Sequence, residues 1–383
     1  MTIDILHLTH THIATDSRIL KAMLAADAAD FSVAGIGMSA YEETLNSSLS
    51  KKLNIIEISF KTTYLAKKLP KFLRIPFLLL SFVVFSLNLI VFGIRFRPSL
   101  VHCNDTLVLP AGLIIKLFTG CKIIYDAHEL ESDRNGITRL EAKIYFSLEK
   151  YCWRFLDGLI TVSPGIDDWY KNNIGPKLSE VILNSPFISK DDKYSKSYLK
   201  DYFKILGQHK VFIYAGMFAK GRGLENLIAA FKSDDINSHL VLLGYGPLSK
   251  TILDASSAHD NIHFHPAIEH ENVVSLIRSA DIGVCFIGNV SLSDYHCLPN
   301  KLFEYAFSGT PVVASNFPDI SALVSEFNLG IIVSDTFDSI KTCIREIEEI
   351  DVKKSFLNKD LSSLSWDAQT EKLIELYNTV LSK

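Results

Sequence analysis

No two cysteines in this chain stand in a C-x-x-C spacing, although there are six: Cys103, Cys121, Cys152, Cys285, Cys297 and Cys343. Thiols scattered through apolar runs read as reduced core or pocket residues, and they speak against a structural zinc site or a disulfide framework. An excess of basic charge is missing too. With 39 Lys and Arg against 43 Asp and Glu, the formal charge is −4, so bulk charge points to no nucleic-acid partner. A locally basic pocket for a phosphorylated small molecule remains compatible with it. The amino terminus, Met1-Thr2-Ile3-Asp4, has neither a basic n-region nor an apolar h-region, so no secretory signal is expected. The sequence also holds no low-complexity tract and no short-period repeat.

What is present is a long, apolar-rich chain: 383 residues, 48% of them hydrophobic, the size of two ordinary domains or one large α/β unit. Short β-branched runs alternate with helical patterns. IDILHL, FSVAGIG, NIIEISF, LVHCN, KIIYDAH and GLITVS read as strands, with helices over 17–29 and 107–118 between some of them. That rhythm predicts a parallel sheet covered by helices on both faces. It breaks over the polar, Lys- and Ser-rich stretch 189–208 and restarts with VFIYAG, HLVLLG, NIHFHP, DIGVCF, PVVAS and LGIIVS. The expected organisation is a first doubly wound domain over 1–195, a second over 205–364, and a final helix over 365–383 packing back on the first. Two such units leave a cleft at the carboxyl ends of their strands, where α/β folds bind ligands.

One segment is hydrophobic enough to question a soluble reading. Residues 75–94, IPFLLLSFVVFSLNLIVFGI, carry no charge; Lys67, Lys68, Lys71 and Arg74 precede them, and Arg95 and Arg97 follow. Roughly 20 apolar residues suffice to span a bilayer. Yet Pro76, Ser81, Ser86 and Asn88 interrupt the run, the basic flanks give no orientation, and the strand that follows at once is one the first domain needs. A buried or interfacial helix within about 65–97 is therefore expected, held to the membrane by apolar burial and basic flanks.

Several constellations can carry chemistry. Residues 214–231, YAGMFAKGRGLENLIAAF, form a strand, a loop with Gly216, Gly221 and Gly223, then an amphipathic helix. Glycines let backbone amides approach an anion, a helix amino terminus adds partial positive charge, and Lys220 and Arg222 can neutralise a diphosphate. An ordinary β–α turn with solvated basic residues gives the same pattern. In residues 298–315, LPNKLFEYAFSGTPVVAS, a polar loop of Leu298, Pro299 and Asn300 enters a helix. Glu304 lies one turn beyond Asn300 and Lys301, so a carboxylate suited to ribose hydroxyls sits near groups suited to phosphate oxygens. Plain helix capping with a surface glutamate is the alternative.

At the end of a first-domain strand, IIYDAHELES over 123–132 brings Asp126, His128 and Glu129 together; such a histidine can bond a sugar hydroxyl or orient an acceptor. In HLTHTHIATDSRI, 7–19, Asp16 can cap a helix while His10 or His12 meets the acceptor; no cysteine or carboxylate spacing supports a metal there. Gly244-Tyr245-Gly246-Pro247 closes the strand HLVLLG.

With these residues in view, 298–315 resembles the carboxy-terminal donor-site signature of retaining GT-B glycosyltransferases, family 4 in the sequence classification, in the form common among bacterial members that build surface polysaccharides. Residues 214–231 resemble the same family's diphosphate loop, Tyr125-Asp126-Ala127-His128-Glu129 its first-domain signature, and Gly244–Pro247 its G-x-G-P turn beside the base and ribose. The likeness runs from the first strand to Trp366. It implies a GT-B fold of two facing Rossmann-like domains with an interdomain cleft. By position it implies that Arg222, helped by Lys220, contacts the donor diphosphate, that Glu304 clamps the ribose, and that His128 lies near sugar and acceptor. The sequence departs from the pattern twice. His296 stands where the first glutamate of the family's Glu-x7-Glu motif belongs, leaving His296, Asp294 or amides around Leu298 for the donor sugar. Met217 stands where many relatives have an arginine.

The resemblance implies a retaining transferase, and the apolar segment with its basic flanks leads us to expect it in the cytoplasm, on the inner face of the membrane. It moves sugar from a nucleoside diphosphate to a hydroxyl of a lipid-linked glycan precursor, with no cofactor or metal. A nucleotide-sugar epimerase of the same fold, or an inactive sugar-nucleotide-binding scaffold, are the alternatives. Donor base, acceptor and oligomeric state are not legible.

Overall fold

A computed structural model describes residues 2–39, 52–58, 68–187, 193–356 and 359–383. Parts of the expected strand NIIEISF (59–60), of the apolar segment (65–67) and of the polar stretch (189–192) lie outside the described residues. The chain divides into two compact units. Met1–Ile182 with Thr370–Lys383 form the first, and Leu183–Gln369 the second.

The first unit is built on seven parallel strands: β1 (Ile5–His12), β2 (Val33–Met38), β3 (Asn54–Ile58), β4 (Leu100–Asn104), β5 (Lys122–Ala127), β6 (Gly158–Thr161) and β7 (Ser179–Val181), in the order β3-β2-β1-β4-β5-β6-β7. The central strands are apolar almost throughout because both faces are covered; Ile5, Leu6 and Leu8 of β1 are buried, and so are all five residues of β4. β7 carries no alternation or β-branched run, and its three half-buried residues Ser-Glu-Val gave no strand signal. The helices are α1 (Ser17–Ala28), α2 (Lys71–Phe96), α3 (Leu109–Thr119), α4 (Arg139–Cys152) and α5 (Pro164–Asn173). Local chemistry sets their ends. Asp16 caps α1 through the amides of Arg18 and Ile19. Thr138 and Glu141 form a capping box on α4, satisfying two free amides reciprocally. α3 stops at Gly120, left-handed at φ 75°, a conformation that glycine adopts without strain.

α2 is the helix read from the 75–94 run. It is long and apolar enough to cross a membrane by length and composition, yet it is the crossover between β3 and β4, which belong to one sheet. Phe85, Leu89 and Gly93 are buried against the domain, and Gly93 lies where any side chain would collide with Ile115 of α3. Its other side, including Leu80, Val84 and Leu87, is exposed.

The second unit has six parallel strands: β8 (Val211–Met217), β9 (His239–Tyr245), β10 (Ile262–Pro266), β11 (Ile282–Cys285), β12 (Val312–Ser315) and β13 (Gly330–Val333), ordered β10-β9-β8-β11-β12-β13. Around it run α6 (Tyr198–Phe203), α7 (Leu224–Phe231), α8 (Ser249–Ala258), α9 (Val273–Ile277), α10 (Leu292–Tyr295), α11 (Asn300–Ser308), α12 (Pro318–Glu326), α13 (Phe337–Glu348) and α14 (Val352–Ser355). The polar stretch read as the hinge is here part of the second unit. Tyr198, Tyr202 and Phe203 of α6 pack on His263 and His265 of edge strand β10, so aromatic burial outweighs the polar composition around it. The final helix, α15 (Trp366–Leu381), begins in the second unit, and from Thr370 onward it is counted with the first. There Tyr377 is fully buried, its hydroxyl 2.7 Å from His102 Nδ1.

Candidate donor and acceptor sites

In the second unit the donor candidates gather at the carboxyl ends of β8, β9 and β11. Gly216 and Gly244 are paired across β8 and β9, at φ 139° and 148°. A Cβ on Gly244 would overlap the Gly216 carbonyl oxygen, so the two strand ends stay flush only with glycine. The next turn is bolted on by the backbone: the Phe218 amide donates to the Tyr245 carbonyl (2.8 Å) and the Leu248 amide to that of Phe218 (3.0 Å). The Tyr245 side chain is left exposed.

Lys220 and Arg222 follow in the loop before α7. Gly223, at φ 65°, has no room for a side chain against Phe286, and the Gly288 amide donates to the Gly221 carbonyl at 2.8 Å. The α7 first turn has no side-chain cap, so its amides remain available to an anion. Lys220 is exposed, and Arg222 Nη1 lies 3.5 Å from Asp294 Oδ1.

α11 supplies the other half of the group. Pro299 is its N-cap and offers no side-chain acceptor, Leu298 is buried beside it, and Asn300 is exposed. Lys301 and Glu304 are both largely buried; the Lys301 ammonium sits 4.0 Å from the Tyr214 ring centroid, a cation–π contact. Glu304 Oε1 is 3.8 Å from His270 Nδ1. Burial pushes the Cys285 thiol up, Lys301 and Arg222 pull it back, and Glu304 pushes it further. Tyr305, one residue on, pins α11 to the sheet: its hydroxyl accepts from the Ala215 amide (3.0 Å) and lies 3.1 Å from the carbonyls of Ile213 and Val284.

His296, the departure from the family pattern, is only partly buried. Its Nδ1 is 3.2 Å from Oδ2 of Asp319, which is buried in the first turn of α12. Asp319, His270 and Tyr305 escaped the sequence reading because their roles depend on contacts between elements distant in the chain.

In the first unit, the candidates separate. Asp126 is buried, and Arg18 grips both its oxygens at 2.8 and 3.1 Å while donating a third bond to the Ile182 carbonyl at 3.0 Å. Asp126 therefore anchors its neighbours and does not itself face outward. His128 lies between two carboxylates, with Nδ1 3.5 Å from Asp105 and Nε2 3.5 Å from Asp126. Burial works against its charge, but Asp105 and Asp126 outweigh burial and raise its pKa to about 9. It is thus an imidazolium at neutral pH, a proton donor and cation instead of a base. His10 Nδ1 approaches the other oxygen of Asp105 at 3.4 Å, while burial holds its own pKa down. Asp105, at φ 74°, is the bridging group that the sequence reading missed. Glu129 pairs with Arg134 (3.1 Å), which also holds Glu131. Burial, Asp105 and Glu129 push the Glu131 carboxyl up to about 8.

The remaining candidates lie elsewhere. Asp16 is the α1 cap, and His12 turns to the Ser39 carbonyl, with Nδ1 2.6 Å away. The run of three histidines does not converge, because β1 continues through His12. His7 points into the core, stacked on His102, while His10 turns to Asp105 and His12 to the Ser39 carbonyl.

Comparison with known proteins meets this geometry where the candidates are densest. Residues 209–349 match the family model of glycosyl transferases group 1. A glycogen synthase of Mycobacterium tuberculosis is 23% identical over 251 residues, 61% of this chain and 56% of that protein. The chain thus matches little more than half the length of that relative. A chitobiosyldiphosphodolichol beta-mannosyltransferase of Candida glabrata is 21% identical over 306 residues, covering 70% of this chain and 67% of that one. Among solved structures, Anabaena HepE in complex with UDP is similar with a TM-score of 0.73 and 14% identity, covering 98% of this chain and 100% of that chain. At such identity the likeness speaks for the fold, which is GT-B. The second unit thus matches the model of the group 1 glycosyl transferases, and the chain along its length shares the GT-B fold of these structures.

Proposed function

We propose that this protein is a retaining glycosyltransferase that carries a sugar from a nucleoside diphosphate to a hydroxyl on a lipid-linked glycan precursor, in surface polysaccharide synthesis. The observation that carries the reading is the Lys301 ammonium seated against Tyr214 near the end of β8, with Glu304 buried one turn on, where the same strand leads into the Lys220–Arg222 loop and the uncapped start of α7. Arg222, Lys220 and the helix-start amides bind the diphosphate and stabilise the negative charge it gains as the bond to the sugar breaks, the term that usually dominates such steps. With that charge met by the chain's own groups, the step is assigned no metal. Glu304 accepts from the ribose hydroxyls. Similarity to a protein solved with UDP supports a nucleotide donor, and similarity to a mannosyltransferase named for a dolichol-linked substrate supports a lipid-borne acceptor.

The first unit is assigned to the acceptor. His128, charged between its two carboxylates, donates to a sugar or acceptor hydroxyl. No carboxylate in the donor group is placed as a nucleophile, so the acceptor hydroxyl attacks from the face the diphosphate leaves, which retains configuration. The protein works in the cytoplasm, on the inner face of the membrane, with α2 against the lipid.

Arg222→Ala and Glu304→Ala, assayed for sugar transfer with UDP-glucose tried first, should each lower the rate by about a hundred-fold or more. Near-normal rates in both variants would remove the site. Sugar conversion with donor alone would mark an epimerase, and donor binding that raises the melting temperature without any turnover would mark a scaffold.

A further inference from the structure

The connections β3→β4, β4→β5 and β5→β6 all step in the same direction along the first sheet. Right-handed crossovers therefore lay α2, α3 and α4 side by side on one face, with α3 in contact with both neighbours. The outer surface of this layer is unusual for a chain of net charge −4. α2 and α3 contain no acidic residue, and Leu117 and Phe118 of α3 are 80% and 68% exposed, extending the bare apolar side of α2.

α4 adds a second kind of edge. Basic and apolar residues alternate as exposed pairs, Arg139-Leu140, Lys143-Ile144 and Lys150-Tyr151, with Arg154-Phe155 in the turn just after it. A spacing of four, seven and four keeps the basic members in one row and the apolar members in the row beside it. Arg154 lies over the rings of both Tyr151 (5.2 Å) and Phe155 (4.7 Å), and Lys150 lies 6.0 Å from Phe146. Phe146, Ser147, Lys150, Tyr151 and Arg154 line an open notch. Among the described residues no carboxylate pairs with Arg139, Lys143, Lys150 or Arg154. Glu141 is turned to the Thr138 amide as the cap, and Glu149 is buried.

We infer that the outer surface of α2, α3 and α4 is one docking platform for an anionic lipid bilayer, with the Lys150–Arg154 notch seating headgroup phosphates. This deepens the membrane reading above and rests on it. Adjacent apolar rows enter the acyl boundary, while the unpaired basic row along α4 meets the anionic surface. Aromatic rings beneath the cations place them at the headgroup level.

The test uses the full chain with phosphatidylcholine vesicles, with and without phosphatidylglycerol, in a flotation assay. Wild type should bind the anionic vesicles more tightly by about ten-fold or more, a difference that salt removes. Lys150→Glu with Arg154→Glu should lose most of that preference with unchanged thermal unfolding. Leu80→Gln with Val84→Gln should weaken binding to both vesicles. If the α4 double variant binds anionic vesicles as wild type does while the α2 variant fails, the platform is refuted and α2 alone makes the contact. If wild type floats with neither vesicle, or buries this surface in a dimer, the membrane reading falls with it.

Discussion

At the scale of single residues, the first-unit cluster makes a pH dependence that can be measured. His128 is raised from 6.5 to about 9, and Glu131 from 4.5 to about 8. In both cases the folded state holds a proton more firmly than the unfolded chain. Their contribution to stability is fully present below the unfolded pKa of each group and is lost as pH rises through the folded value. The Glu131 share is therefore lost between about pH 4.5 and 8 and the His128 share between about 6.5 and 9, and across the latter window the melting temperature should fall by roughly 5 °C. His128→Gln should flatten that slope in calorimetry; an unchanged slope would place the titration elsewhere. Asp126 responds at the other end of the scale. Burial opposes its charge, but Arg18 and His128 prevail and hold it well below the usual carboxylate range, so its stabilisation disappears only in acid.

At the scale of elements, the donor group depends on how α11 is seated. Tyr305 fills the space that Gly283 leaves empty, and its hydroxyl joins backbone atoms at Ile213, Ala215 and Val284. Tyr305→Phe leaves the Ala215 amide buried without its acceptor, which should cost about 1–3 kcal/mol in urea unfolding. It should also raise the KM for donor more than it lowers kcat, because Lys301 and Glu304 lie on the same helix. A variant equally stable and equally fast would show that α11 is held by packing alone. Twelve strands and the helices α1, α2, α3, α7, α11 and α15 were legible at this scale, since apolar runs, caps and glycine stops act over a few residues. β7 was not, because a short edge strand is defined by its neighbour β6 and not by its own composition.

At the scale of the whole molecule, the chain returns to its first unit through Thr370–Lys383. Leu373, Leu376, Tyr377 and Val380 are buried there, so ending the chain at Gln369 should destabilise the first unit by more than about 5 kcal/mol. Limited proteolysis should then cut within 2–182 before 209–349. Preferential cleavage of the second unit would reverse this assignment.

The sequence by itself determined the two parallel α/β units, the places along the chain of twelve of their strands, the glycine loop with Arg222 and the helix bearing Lys301 and Glu304. These follow from periodicity and from residues neighbouring one another along the chain. Only the tertiary structure decided that Asp105 and Asp126 charge His128, that Asp319 holds His296, that Arg18 closes on Asp126, and that the polar stretch after Leu183 joins the second unit. Each of those joins residues from separate elements, where burial and a charge brought from elsewhere set the protonation state and the orientation. No local pattern encodes them.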